Sequence, residues 1–188
     1  PTTSYLRPTV DTIVGEGATD ASMDGGEEIT LNGENFGPLP SFGEGIIFLD
    51  SVHYGTRADP YLYLAKECEV ITSSIKIRCK TVPGSGRDLR WTVTVAGQPS
   101  PLSTATTSYG DPTILSMSPT EGTTAGFVVT MTGINMAPSV SSSSSSMSSI
   151  LLGTNEITNG ITIVQTGTLH LERSVQQVTF TIPEGVGI

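Results

Sequence analysis

The stretch GGEEITLNGENFG, residues 25–37, decides the fold. A glycine pair leads into a segment where Ile29 and Leu31 alternate with Thr30 and Asn32, after which Gly33 and Gly37 bracket Asn35. Period-two alternation between glycines is the pattern of a half-buried strand running into a tight loop. The stretch AGFVVTMTGINMAP, residues 125–138, repeats it: Val129 and Met131 alternate with Thr130 and Thr132, and Gly133 precedes Asn135. A strand flanked by glycines carries no reactive group, so the pattern speaks to architecture and names no ligand.

Working outward, PTTSYLRPTV opens the chain and TTSYGDPTI returns at residues 106–114, so Tyr5 matches Tyr109 and Pro8 matches Pro112. This internal repeat predicts three segments: residues 1–5 as the tail of a preceding repeat or a donor strand, a sandwich over 6–110, and a second over 111–188. Strands are expected in the first copy at 10–14, around Ile29, at 45–49, 61–65, 74–82, 89–96 and 104–109. In the 89–96 segment Trp91, Val93 and Val95 face in, while Thr92 and Thr94 face out. The second copy predicts strands around Ile114 and Val128, and at 150–152, 161–164, 169–171 and 175–182. Pro183 matches Pro83, but two further strands follow Pro83 and none follows Pro183 before Ile188. The second sandwich therefore lacks its last two strands as written: the natural polypeptide continues past Ile188, or another molecule supplies the edge.

Composition supports an all-β class. Of 188 residues, 21 are Gly and 12 are Pro, which interrupt helices, and no apolar stripe of helical period and length is present. A net charge of −9 argues against nucleic acid and anionic lipid as partners, since both need clustered Lys and Arg. The longest apolar run, residues 46–49, is far too short to cross a bilayer, so no membrane insertion by this segment is expected.

Cys68 and Cys79 are the only cysteines. In SSIKIRCKTV, Ile75, Ile77 and Cys79 share one face and Lys76, Arg78 and Lys80 the other, which points the thiol at the core. A core-facing pair closing a short loop reads as a disulfide, worth roughly 3 kcal/mol on the loop-entropy account, and with it an extracellular or cell-surface location. The alternative is two buried thiols in a reducing compartment.

These residues together resemble the IPT/TIG family of immunoglobulin-like domains. The likeness rests on PTVDTI followed by GGEEITLNGENFG, the two cysteines, IRCKTVPGSG, VTVAGQPS and the TTSYGDPTI join. The second copy keeps PTILSMSPTEG, the glycine-led strand and VTFTIPEGVG, without the cysteines. The resemblance implies two tandem immunoglobulin-like β-sandwiches of the early set, the second lacking its last strands. Such domains occur in surface receptors, adhesins and secreted proteins, and as accessory domains of some carbohydrate-active enzymes or transcription factors. The resemblance implies no catalytic residue and no cofactor.

The chemistry-bearing residues are few. His53 and His170 have no metal-ligand spacing and read as surface residues. PGSGRD, residues 83–88, lacks the Lys-Ser/Thr of a phosphate loop and reads as a turn. Asp20, Asp24, Glu27 and Glu28 form an acidic loop, a candidate for calcium whose bland reading is a solvated charged turn. Residues 111–188 hold only six charged side chains, five acids and Arg173, against 25 Ser and Thr. None of the five Asn lies in an N-glycosylation sequon. Ser141, Ser142, Ser143, Ser144, Ser145 and Ser146 are the candidate O-glycan sites, or an unmodified loop.

The leading expectation is a non-enzymatic extracellular structural protein, a head-to-tail homopolymer in which Pro1, Thr2, Thr3, Ser4 and Tyr5 of one subunit add a strand to the next. The competing expectations are a ligand-binding fragment of an adhesion receptor or adhesin, and an accessory domain of a carbohydrate-active enzyme.

Overall fold

The computed structural model describes residues 5–40, 48–138, 149–170 and 173–184. The chain divides into two compact units, Pro1–Gly110 and Asp111–Ile188. Both are built from antiparallel strands, and among the described residues the only helical element is a 3-10 turn at Glu16–Ala18.

Unit 1 contains β1 (Thr9–Val14), β2 (Glu28–Glu34), β3 (Leu49–Gly55), β4 (Tyr63–Leu64), β5 (Lys66–Thr72), β6 (Lys76–Lys80), β7 (Leu89–Val95), β8 (Gln98–Pro99) and β9 (Thr106–Thr107). One sheet runs β1-β2-β6-β5; the other runs β4-β3-β7-β8, with β9 also paired to β7. Their inner faces close over one core in which Ile29, Leu31, Ile77 and Cys79 from the first sheet meet Val52, Tyr54, Trp91 and Val93 from the second. This is a β-sandwich, each strand giving alternate residues to the interior.

Unit 2 contains β10 (Thr113–Ser118), β11 (Phe127–Ile134), β12 (Ile150–Leu152), β13 (Asn155–Ile157), β14 (Thr162–His170) and β15 (Arg173–Ile182). Its main sheet, β10-β11-β15-β14, repeats the order of β1-β2-β6-β5, and β12-β13 forms a separate two-stranded sheet. The correspondence extends to register. Val10 pairs with Gly33 and Ile13 with Leu31, and the register shifts between Val10 and Thr12. Ile114 pairs with Gly133 and Met117 with Met131, and the shift falls between Ile114 and Ser116.

The repeated glycine has a local cause. A Cβ on Gly33 would collide with the carbonyl of Thr9, and one on Gly133 with the carbonyl of Thr113, so the strand beside each shift comes too close for any side chain. Asn35 and Asn135 then turn each chain out of its strand with φ of 61° and 52°, left-handed values that Asn tolerates.

Some expected strands differ. The segment expected at 45–49 gives way to β3 at Leu49–Gly55, with residues 41–47 outside the described set. Residues 61–65 contribute only β4, and β5 follows as a strand of its own. In place of separate pieces at 161–164 and 169–171 there is one strand, β14, over Thr162–His170, with residue 171 outside the described set, and its pairing shifts between Gln165 and Leu169. Thr94 is half-buried and Thr92 is 3 % exposed rather than outward in solvent. Thr92 lies opposite His53, which packs edge-on against Tyr61 with ring centroids 5.2 Å apart, so that side of the sheet is covered.

Candidate interaction site

Cys68 and Cys79 are joined by a disulfide. Cys79 is fully buried on β6; Cys68 sits half-buried where the β5–β6 register shifts, so the bond ties an edge strand to the core. Ile29 stands opposite Cys79, and at the equivalent place in unit 2 Val129 stands opposite Phe180, 1 % exposed. A phenyl ring fills there the volume that the sulfurs fill in unit 1. Above the disulfide Arg78 pairs with Glu69 and, at 3.9 Å, with Glu28, while Lys80 lies 2.7 Å from Glu67. These pairs are exposed and contribute little.

The acidic loop is organised around its own backbone. A Glu27 carboxylate oxygen accepts from Ser22 N at 2.9 Å, and Glu27 N donates to Thr81 Oγ1 at 3.2 Å. Glu28 is directed to Arg78. Among the described residues no three His, Cys, Asp or Glu side chains are grouped to hold a metal. His170 is exposed at the end of β14, as a surface residue would be. His53 is instead half-buried, its Nδ1 without a hydrogen-bond partner among the described residues. The 83–88 turn receives Tyr63, whose hydroxyl accepts from Ser85 N at 3.0 Å and donates to Ser85 O at 2.9 Å. Pro1, Thr2, Thr3 and Ser4, and the serine run Ser141 to Ser146, lie outside the described residues; Tyr5 is 88 % exposed.

What sequence reasoning missed is how the TTSY motif at 106–109 closes unit 1. Thr107 accepts from Trp91 Nε1 at 3.0 Å. The Tyr109 hydroxyl donates to Val82 O at 2.5 Å and meets the Tyr54 hydroxyl at 2.7 Å; Tyr54 in turn stacks on Trp91, centroids 4.3 Å apart. Backbone bonds from Ala21 N to Ser108 O, Gly110 N to Ala21 O and Tyr109 N to Gly86 O complete the closure. The recurrence of TTSY was the available signal, but a repeated tetrapeptide does not disclose its partners.

Burial raises the Tyr109 phenol far above its ordinary range, reinforced by Tyr54, and burial likewise raises Tyr54. The unfolded chain releases these protons near pH 10 while the folded unit retains them, so above about pH 10 the unfolded state binds fewer protons and stability falls. Unit 1 will hold its stability up to about pH 9 and lose it progressively above 10, with a shallower loss in Tyr109→Phe. The emission of Trp91, the sole tryptophan, followed in denaturant titrations from pH 8 to 11, checks this; identical slopes in both proteins would contradict it.

Two surfaces remain as candidates for contact. At one end of unit 1 an apolar cleft of about 610 Å³ is lined by Leu6, Pro8, Phe48 and Val95, with Asn35 and Gln98 at its polar side. In unit 2 every residue of β10 is exposed: Ile114 at 59 % and Met117 at 40 %. Their equivalents in β1, Val10 and Ile13, are packed into the core.

No protein-family model matches this chain. No curated protein matches it either.

Proposed function

We propose that the chain is a non-enzymatic, extracellular structural subunit made of two IPT/TIG-like sandwiches, assembling head to tail into a fibre. One observation carries the reading. The same sheet is built twice in the same register, as in an array whose units repeat along the chain, and its edge strand β10 exposes Ile114 and Met117. A sheet with an unpaired edge and an uncovered apolar face accepts a strand from a neighbour, and main-chain hydrogen bonds supply the adhesion. A head-to-tail contact that does not close into a ring propagates as a fibre. The disulfide fits an oxidising compartment. The scarcity of charge in residues 111–188 suits a surface buried by neighbours or by O-glycans on the Ser141 to Ser146 run.

The test is electron microscopy of the native material together with native and intact mass of its subunit. Regular filaments with one axial repeat per subunit are expected, with hexose increments on the mass where the serines are modified. A monodisperse monomer at micromolar concentration would remove the reading.

The apolar cleft of unit 1 favours a second reading, an adhesion module. Loops at one end of a sandwich would then grip a protein or glycan, as clefts with apolar walls and a few polar groups do. Saturable ligand binding without self-association separates the two.

A further inference from the structure

The dipeptide Asn-Gly occurs once in each unit, at Asn32-Gly33 and at Asn159-Gly160. In this dipeptide the asparagine carboxamide lies within reach of the next backbone nitrogen, and glycine, without a Cβ, puts nothing in the way. The two copies stand in opposite surroundings. Asn32 lies inside β2, paired with Thr12 on one side and Lys76 on the other, so the sheet holds it from both edges. Its Nδ2 donates to Thr12 Oγ1 at 3.1 Å, and Gly33 N donates to Ile75 O at 3.0 Å. Carboxamide and backbone nitrogen are therefore both committed. Asn159 and Gly160 lie in the bend between β13 and β14, and both are exposed. Gly160 has a φ of 70°, and a Cβ added there would meet nothing within 4 Å, so the space beside the pair is open. Neither the Asn159 side chain nor Gly160 N is hydrogen-bonded among the described residues.

We infer that Asn159 is a site of spontaneous modification, converted through a cyclic imide into aspartate and isoaspartate, while Asn32 is protected by its strand. Gly160 N gives up its proton to hydroxide or a buffer base and attacks Cγ of Asn159. The new N–C bond closes a five-membered ring, the Cγ–Nδ2 bond breaks, and the nitrogen leaves as ammonia. Water then opens the ring at either carbonyl. Cleavage at Cγ gives aspartate; cleavage at the main-chain carbonyl gives isoaspartate, with the chain running on through the side chain. The sum is water in and ammonia out, without oxidant or cofactor. At Gly33 the same attack requires the bond to Ile75 to break and β2 to leave its place between β1 and β6, so it waits on local unfolding of that sheet. The consequence at Asn159 is electrostatic. Residues 111–188 hold five acids and Arg173 as their only Lys or Arg, so the new carboxylate drives a chain of net charge −9 further negative in a unit with almost no cation to neutralise it. None of this rests on the head-to-tail reading.

The test is to age the whole folded chain at neutral and mildly alkaline pH, then denature it in acid and cleave after glutamate. One digest reports both sites, since residues 157–172 carry Asn159 and residues 29–34 carry Asn32. Conversion of the 157–172 peptide at least tenfold faster than that of 29–34 is expected, as two products of equal mass, each with an amide NH2 replaced by OH, that separate by chromatography. Its rate should rise with pH, because the attacking nitrogen must lose its proton. In a chain aged in denaturant the two sites should convert at similar rates, which shows that the strand is what protects Asn32. Similar rates in the folded chain, or no conversion at Asn159 while the denatured chain converts, overturns the inference. A lone aspartate product overturns it too, since that marks direct hydrolysis without ring closure. Asn159→Gln, at an exposed position, should remove most of the acidic form that accumulates on isoelectric focusing; an acidic form of undiminished strength would place the change elsewhere.

Discussion

Trp91→Ala will cost unit 1 about 4 kcal/mol, the order found for removing a large aromatic ring from a packed core. Trp91 is fully buried, lies nearly parallel to Tyr54 at an interplanar angle of 11°, and gives its Nε1 proton to Thr107. Its loss opens a cavity between the sheets, unstacks Tyr54 and frees β9, the strand that leads into Tyr109. Since domains are stable by only about 5–15 kcal/mol, much of unit 1's margin goes with it. Calorimetry on the variant should show a strongly lowered transition for unit 1, and hydrogen exchange should show lost protection along β3 and β7. Trp91→Phe keeps one six-membered ring and loses the pyrrole half of the indole together with its hydrogen bond, so its effect should be less than half as large. Equal losses in the two variants would place the stability in the pyrrole half and its Thr107 bond instead of the rest of the ring.

Gln176→Leu will cost unit 2 roughly 4 kcal/mol, because three buried main-chain groups lose their partner and each costs about 1–3 kcal/mol when left unsatisfied. Gln176 is 2 % exposed. Its Oε1 accepts from Met136 N at 2.6 Å and Ala137 N at 3.0 Å, and its Nε2 donates to Ala137 O at 2.5 Å. Leucine has nearly the right volume, so the loss isolates the hydrogen bonds from the packing. In unit 1 the corresponding loop is held by main chain: Phe36 N donates to Ser74 O, and Ser74 N donates to Gly37 O at 2.7 Å. Circular dichroism should therefore report an early transition from unit 2 while the Trp91 emission transition of unit 1 stays in place. A shift of the Trp91 transition by the same amount would show that the two cores do not unfold separately.

That contrast explains what the residues disclosed in advance and what they withheld. The glycine-led strand, the inward row of Trp91, Val93 and Val95, and the inward face of Cys79 were legible because each depends on local periodicity or on a backbone clash beside its own turn. The strand β5 was not, since Lys66, Glu67 and Glu69 break the alternation on an edge strand, where charged side chains face water. The apolar run at 46–49 drew the third strand too early; β3 itself, Leu49–Gly55, reads as polar because only Val52 and Tyr54 are apolar residues buried on it. The Gln176 clasp and the Tyr54–Tyr109–Val82 cluster stayed hidden for another reason. Both join residues tens of positions apart, and a sequence records neither partner of a long-range hydrogen bond. The bare face of β10 was hidden too, because Ile114 and Met117 have the composition of core residues.

The matched register shifts in β1–β2 and β10–β11 also bear on how the chain reaches its fold. Two first hairpins with the same spacing, the same glycine and the same offset are near-interchangeable modules, and exchange of equivalent elements is a characteristic failure of repeat proteins during refolding. A β10 laid against β2 would satisfy most of the ladder that β1 satisfies. The third strand pair breaks this degeneracy, since β6 carries Cys79 where β15 carries Phe180, and only β5 brings Cys68 beside it. Because unit 2 carries no cysteine, the Cys68–Cys79 bond can join β5 only to β6, so in the oxidised chain the third strand pair of unit 1 has no counterpart with which to exchange.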